Sequence, residues 1–463
     1  MSRRRDILLF SLVCGLAMAL YRLQSNPVFS DPPETSLPVF DTDDKETFIS
    51  YITDANETIK YEAIQSVCDK KIWREDVVFN CDMIAGGIGN VRNHVLNCIR
   101  YVMEAGGSLI VPRIMRRNPQ DISEIETRDW QDLEYMFDKT WFERELSTAC
   151  PQLKLWASLD DVPAYKDGTL RRKRSLVPRT LDNWVPKYGL AHPEFWRGWF
   201  DEWVAKDEEA QEEGKIVHFV GLGRAYLEFP IRYDGSAFVA EFGKILRFNH
   251  NARWLAANLL WIMRSKFFSP SFSQNSGILK AGDRGGNATY FGIHLRTEAD
   301  AVRAWPVEDW RHQAYSLQST NAIRELHASG LDVVYVASGN VSEVARLARD
   351  IQNHANTTSS TPITVLTKHD LFDDASYARE KQILDAMTFD QAALVDFLVM
   401  AKAAVFVGIG HSSFAWNIAF QRHALVKHEK HYLDPGPQLL RDSLSVIFGD
   451  TRTNIEYAYC MWP

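Results

Sequence analysis

Short apolar runs alternate with helix-periodic segments along this chain in two separate blocks, and that alternation restricts the fold more than any other feature. Residues 77–81 read as a strand, Gly86-Gly87-Ile88-Gly89-Asn90 as a glycine-rich loop, 91–105 as a helix and 108–111 as the next strand. Val91, Val95, Leu96, Ile99, Val102 and Met103 recur at helical spacing and form one apolar face, which Gly106-Gly107 terminates. Strand, loop, helix, strand in that order signals a parallel sheet, because parallel strands need a crossover between them. In the second block, 290–296, 332–337, 363–367 and 405–408 read as strands. Residues 310–329, 341–350, 388–403 and 414–422 read as helices, with Thr388 and Gln391 forming a capping box. A chain of 463 residues is long for one core. The predicted fold class is therefore α/β, with two Rossmann-like, doubly wound domains facing a cleft.

The amino terminus reads as an address. Arg3, Arg4 and Arg5 precede an apolar run from Ile7 to Leu20, followed by Tyr21, Arg22 and a Pro-containing polar stretch. Positive residues before a single hydrophobic segment keep that end cytosolic and send the rest across the membrane. The run is short for a span, and Ala17-Met18-Ala19 resembles a signal-peptidase site; a retained signal anchor over 7–23 is the preferred reading. Either way the body is lumenal. The expected organisation is a cytosolic tail 1–6, anchor 7–23, stem 24–75, an amino-terminal domain 76–285 and a carboxyl-terminal domain 286–463. Sequons at Asn56, Asn287, Asn340 and Asn356 agree with a secretory route. Cys68, Cys81, Cys98, Cys150 and Cys460 lie beyond the anchor without zinc or redox spacing, so up to two disulfides and one free thiol are expected. Cys98, on the apolar face of a predicted helix, is the candidate free thiol. The net charge of -8 gives no support to nucleic-acid binding.

Phe291-Gly-Ile-His-Leu-Arg-Thr297, with Glu298 and Asp300 after it, carries the chemistry. Phe291, Ile293 and Leu295 point to one face of a strand, and Gly292, His294 and Arg296 to the other. Arg296 then falls at the strand's carboxyl end, where open α/β sheets bind ligands, and its rigid fork of donors suits a diphosphate. The bland alternative is an arginine paired with Glu298 or Asp300. Ser412 and Ser413 stand where a strand gives way to a helix, an arrangement that favours anions; an ordinary N-cap is the plain alternative. Gly87 and Gly89 in the first loop allow close approach of a ligand or simply a tight turn, and Asn90 beside them can hydrogen-bond a hydroxyl. Asn93 is a further candidate to bond a hydroxyl. Asp41-Thr42-Asp43 looks like a metal-binding D-x-D but lies in the stem and reads as a solvated acidic run. Arg171-Arg172-Lys173-Arg174 reads as an exposed basic loop.

His294-Leu295-Arg296 with Asp300 resembles the signature of the GDP-fucose protein O-fucosyltransferases and their fucosyltransferase relatives. Gly86 to Asn90 with its helix resembles their amino-terminal motif. Asp396 through Phe414, with Val405-Phe406-Val407-Gly408 and Ser412-Ser413-Phe414, resembles their third. The resemblance implies a GT-B arrangement of the two domains, inversion at the anomeric carbon, GDP-fucose as donor, no metal and no cofactor. It implies that Arg296 holds the β-phosphate and His294 and Asp300 contact the nucleotide. Ser412, Ser413 and Phe414 would bind phosphate and sugar, and Asn90 would lie between donor and acceptor. Glu298 is the candidate general base. Gly87 stands where some members carry an arginine, and Ser338-Gly339-Asn340 stands where some carry an acid; a glycan on Asn340 would crowd the pocket. The expected function is transfer of fucose to a protein or glycan hydroxyl by a single-pass type II protein of the Golgi or endoplasmic reticulum. The alternatives are a GT-B enzyme for another nucleotide sugar and a lumenal sugar-binding protein without turnover.

Overall fold

The computed structural model describes residues 44–54, 59–172, 175–185, 188–206, 216–267, 289–357, 362–424, 426, 440–450 and 455–463. The expected tail and anchor, Asp41-Thr42-Asp43, the sequons at Asn56 and Asn287, and Lys173 with Arg174 lie outside these residues. No helix among the described residues is long and apolar enough to cross a membrane.

In chain order the strands of the first half are β1 (Val77–Cys81), β2 (Ser108–Ile110), β3 (Ile114–Met115), β4 (Trp130–Gln131), β5 (Leu155–Trp156), β6 (Leu170–Arg172), β7 (Trp184–Val185), β8 (Gly189–Leu190) and β9 (Val217–Leu222). Those of the second half are β10 (Phe291–His294), β11 (Val333–Ala337), β12 (Thr364–Leu366), β13 (Val405–Ile409) and β14 (Ser445–Phe448). The first sheet has the order β5-β2-β1-β9-β6 and the second β12-β11-β10-β13-β14, with every neighbour pair parallel. The chain winds outward from β10 in one direction and then from β13 in the other, so β10 and β13 flank the switch point where doubly wound sheets bind ligands. In the first sheet β1 and β9 flank the corresponding point, although β6 is placed outside β9. The α/β class and the parallel sheets follow the sequence pattern.

Phe291, Ile293 and Leu295 pack with Ala322, Leu326, Val334, Val336 and Leu347 on one face of the second sheet. On the other face Gly292 has no room for a side chain: an added Cβ would lie 2.7 Å from Met400 Sδ and 3.0 Å from Ala403 Cβ. The close approach is that of the Phe389–Met400 helix, whose capping box of Thr388 and Gln391 is present. The same helix packs on His250–Phe267, so the cores of the two halves are continuous, and the described residues form one compact unit. The chain's end strengthens that join: Trp462 is buried among Phe229, Phe238 and Phe242, and its indole donates to Asn97 Oδ1 at 2.9 Å.

Three expectations need correction. The stem does not extend to residue 75. Lys45–Asp54 lays Phe48, Ile49 and Ile52 against the His250–Phe267 helix, and Tyr61, Ile64 and Cys68 are buried in the main core. Cys98 is not free: it bonds Cys81, Cys68 bonds Cys150, and Cys460 is the buried free thiol. The apolar face of the Ile88–Ala105 helix covers β1, so the burial that suggested an isolated thiol instead brings Cys98 to Cys81. Residues 170–172 form the edge strand β6 and not a loop; charged side chains such as Arg171 protect a sheet edge from further pairing.

Candidate active site

A cleft of about 860 Å³ runs between the carboxyl ends of the two sheets and is lined by Gly86, Gly87, Asn90, His294, Arg296, Glu298, Asp300, Ser412, Ser413 and Phe414 among others. Every sequence-selected residue except Gly89 and Asn93 therefore reaches it. The Gly89 position has a different task. The Ile88–Ala105 helix begins three residues earlier than its apolar periodicity suggests, with Gly87 as N-cap, which puts Gly89 in the first turn. A Cβ there would lie 2.5 Å from both the carbonyl carbon and oxygen of Ser413. The glycine lets the starts of Ile88–Ala105 and Ser413–His423 touch, so two helix amino termini converge at the cleft wall, which Ile88, Asn90 and Ser413 line. Each presents unpaired backbone N–H groups and a partial positive charge there. The N-cap of the second helix is Ser412, whose hydroxyl accepts from Ala415 N at 3.4 Å, leaving the Ser413 hydroxyl on the cleft wall without a partner among the described residues.

Arg296 lies two residues beyond the end of β10. Its backbone is clamped by two glutamines: its N–H donates to Gln318 Oε1 at 3.0 Å, and its carbonyl accepts from Gln313 Nε2 at 2.9 Å and Gln318 Nε2 at 3.1 Å. The guanidinium is paired with both acids, through Nη1 to Glu298 at 2.6 Å and to Asp300 at 2.9 Å, and through Nη2 to Asp300 at 2.6 Å. Both readings of Arg296 are thus compatible in space. Three of its five donors hold carboxylates, and Nε–H with one Nη2–H has no partner among the described residues. Burial works against its charge, but the hydrogen bonds it donates to Asp300 and the charges of Glu298 and Asp300 outweigh it and raise its pKa.

Glu298 is fully engaged. Its second oxygen accepts from Gly339 N at 2.6 Å and from Ser338 Oγ at 3.3 Å, so a carboxylate reaches the end of β11 from the β10 loop. Burial would raise its pKa, but Arg296 and the Gly339 amide hold it below the ordinary value. Asp300 is depressed likewise, against burial, by Arg296. Such a Glu298 is a strut for Arg296 and a poor proton acceptor.

His294 is buried, with its ring 4.5 Å from that of Phe414, and desolvation pushes its pKa down to about 4. His411 bonds Gln313 Oε1 at 2.6 Å and falls to about 3, again through burial first and then the nearby Arg296. Both are neutral at physiological pH. Two buried polar atoms on cleft-lining residues lack partners among the described residues: Asn90 Oδ1 and His294 Nδ1, one from each wall. Buried polar atoms are nearly always bonded, so these two mark where a polar ligand fits. Asn93 is instead structural, bonding the carbonyls of Tyr226 and Cys460 and the N–H of Trp462.

Pattern reading missed several contributors. Arg117 bonds Asp390 through Nε at 3.1 Å to each oxygen and lies 4.0 Å from Asp300, tying the first half to the acid that holds Arg296. Lys368 bonds Asp396 at 2.5 Å, and Tyr335 donates to the same carboxylate at 2.8 Å. Arg224 and Tyr226, after β9, line the first wall. Asn340 caps the Val341–Thr357 helix: its Oδ1 accepts from Ser342 Oγ at 2.8 Å and from Glu343 N at 3.3 Å, and its amide nitrogen donates to Thr297 O at 3.1 Å. The atom a glycan would use is therefore turned into the chain, whereas Asn356 is exposed. No group of three or more acidic, histidine or cysteine side chains among the described residues is placed to hold a metal ion.

No curated protein matches the chain significantly. Among solved structures it is similar to POFUT1 in complex with GDP, at 12% identity and a TM-score of 0.45, covering 82% of this chain and 100% of that one. It is similar to POFUT1 in complex with GDP-fucose, at 12% identity and 0.45, covering 81% and 99%. An arginine-to-lysine mutant of Arabidopsis thaliana FUT1 in complex with GDP gives 13% identity and 0.38, covering 81% and 76%. The family model of the GDP-fucose protein O-fucosyltransferases matches residues 78–425, most of the chain and all three motif blocks, and the chain belongs to that family.

Proposed function

We propose that this protein transfers fucose from GDP-fucose to a hydroxyl of a protein or glycan, with inversion, without a metal, in the lumen of the secretory pathway. The observation that carries the reading is the meeting of two helix amino termini, packed at Gly89 and Ser413, at the wall of the cleft that Arg296 also lines. Backbone N–H groups and a fixed guanidinium supply counter-charge for a diphosphate, the role a divalent ion plays elsewhere. An apolar slot of Val341, Val344, Ala345 and Ala348 beside β12 suits the planar base. His294 and Phe414 then face the sugar, and Asn90 faces the incoming hydroxyl. Glu298 and Asp300 are positioning residues that set the orientation of Arg296. Two disulfides support an oxidising compartment, and residues 7–23 are the proposed membrane anchor.

The proton route follows from what the acids are doing. Asp390 is held by Arg117, Asp396 by Lys368 and Tyr335, and Asp370 by Thr367. No cleft-lining carboxylate is unengaged among the described residues, so the acceptor proton passes to water as the phosphate departs. The same observation favours one second reading, a sugar-nucleotide-binding protein without turnover. A thermal-shift panel of sugar nucleotides tests donor class, since a ligand that binds only the native state raises its stability. Shifts with GDP and GDP-fucose, but not with UDP-sugars, are expected. Shifts with UDP-sugars alone would overturn the donor assignment, and GDP-fucose binding without GDP release would select the second reading.

A further inference from the structure

The charge balance of the cleft is incomplete for the chemistry proposed, and one residue corrects it. When the anomeric C–O bond breaks, its electron pair stays on the β-phosphate oxygen. The acceptor oxygen bonds the carbon and releases its proton to water, so the diphosphate gains a full negative charge. Nearly every cation lining the cleft is already answered. Arg296 holds Glu298 and Asp300, Arg117 holds Asp390, and Lys368 holds Asp396. His294 and His411 are neutral, their pKa values pushed down to about 4 and about 3 by burial. Arg224 is the exception: it is exposed, lines the cleft, and has no carboxylate partner among the described residues.

Its placement is defined. Arg224 follows β9, the neighbour of β1, and the next residue's N–H donates to His94 Nε2 at 3.4 Å. His94 is one turn from Asn90 on the Ile88–Ala105 helix, so Arg224 stands beside the first turn of that helix. The guanidinium stacks on Tyr226, 4.7 Å from the ring centroid, which orients its plane without using its donors. It is also near enough to His94 to help lower that histidine's pKa to about 3, after burial.

We infer that Arg224 is a catalytic residue that donates to the β-phosphate from the wall opposite Arg296 and stabilises the charge that develops as GDP leaves. The inference rests on the donor assignment above. A cation with no carboxylate to neutralise it is worth most where new charge appears, so its effect falls on turnover and on affinity for the diphosphate.

The test compares the parent protein with Arg224→Ala and Arg224→Gln by calorimetric titration of GDP and GMP, together with kcat and KM for transfer. Removing a charge-assisted contact should weaken GDP binding about tenfold or more and GMP binding by less than about twofold. The exposed position leaves the melting temperature unchanged, which controls for folding. kcat should fall further than donor affinity. A parent that binds no GDP would defeat the donor assignment itself. A parent that binds GDP, with variants that keep its affinity and kcat, would overturn the role of Arg224. So would variants whose only change is a higher KM for the acceptor, which would mark Arg224 as an acceptor contact.

Discussion

Arg296→Lys separates the two tasks of this side chain. Arg296→Ala is a poor probe, because it strands Glu298 and Asp300, whose side chains are only 9% and 12% exposed. Breaking a buried pair from one side costs about 3–5 kcal/mol of stability, enough to confuse unfolding with lost chemistry. Lysine keeps the charge. Its ammonium has three donors on one atom, and the two carboxylates use at least two of them, so at most one remains for phosphate. Arginine offers two free donors on a rigid plane in addition to its three carboxylate bonds. The substitution therefore removes a preorganised donor while leaving the acids neutralised. Loss of one such donor costs about 2.7–4 kcal/mol in the transition state, or roughly two to three powers of ten in kcat. Steady-state transfer gives kcat and KM, and a thermal melt confirms folding; kcat should fall by that amount with a smaller change in KM. A lysine variant that melts like the parent and turns over at the parent rate would refute the phosphate role and leave Arg296 as a structural ion pair.

Other outcomes follow from the same geometry. Gly89→Ala would ordinarily favour a helix, but the methyl has no room against the Ser413 backbone; a loss of roughly 1–3 kcal/mol in a denaturant melt, with weakened GDP binding, is expected, and unchanged values would show that the helices do not meet there. Stability should fall on acidification below about pH 6.5. His94, His294 and His411 are held at about 3, about 4 and about 3, so the unfolded chain takes up protons that the fold refuses. Glu228, pushed up to about 7 by burial, binds a proton in the fold first and offsets one of the three. Unfolding near pH 5 should thus take up about two protons from these groups, on the order of 2–3 kcal/mol per pH unit. A flat profile of melting stability between pH 6.5 and 5 would contradict the neutral histidines.

The strands around the switch point of the second sheet were legible because each is a short apolar run between helix-periodic segments, and Arg296 was legible because strand periodicity places it. The acceptor-side wall was not. Arg117 follows a strand of two residues and finds Asp390 at a sequence separation of 273, a pairing that no local pattern announces. Arg224 lacks any periodic context for the same reason. Glycine signals that something comes close but not what does: Gly292 admits Met400 and Gly89 admits Ser413, and neither contact is with a ligand. Cys98 shows the limit of burial as a guide, since an apolar helix face points at the sheet and hence at Cys81. Glu298 was selected by proximity to Arg296, and the Gly339 amide that occupies its second oxygen belongs to a different strand.

The cleft is proposed to cleave GDP-fucose with inversion and without a metal. That reaction is tested most directly by following ¹H NMR of GDP-fucose with the purified protein and its acceptor, or water in its place, in the presence of a chelator. GDP should be released and, within the first minutes, fucose should appear in the anomeric configuration opposite to that of the donor. Consumption that needs added Mn²⁺, a product with retained configuration, or an inert GDP-fucose beside a consumed UDP-sugar would contradict the proposed reaction.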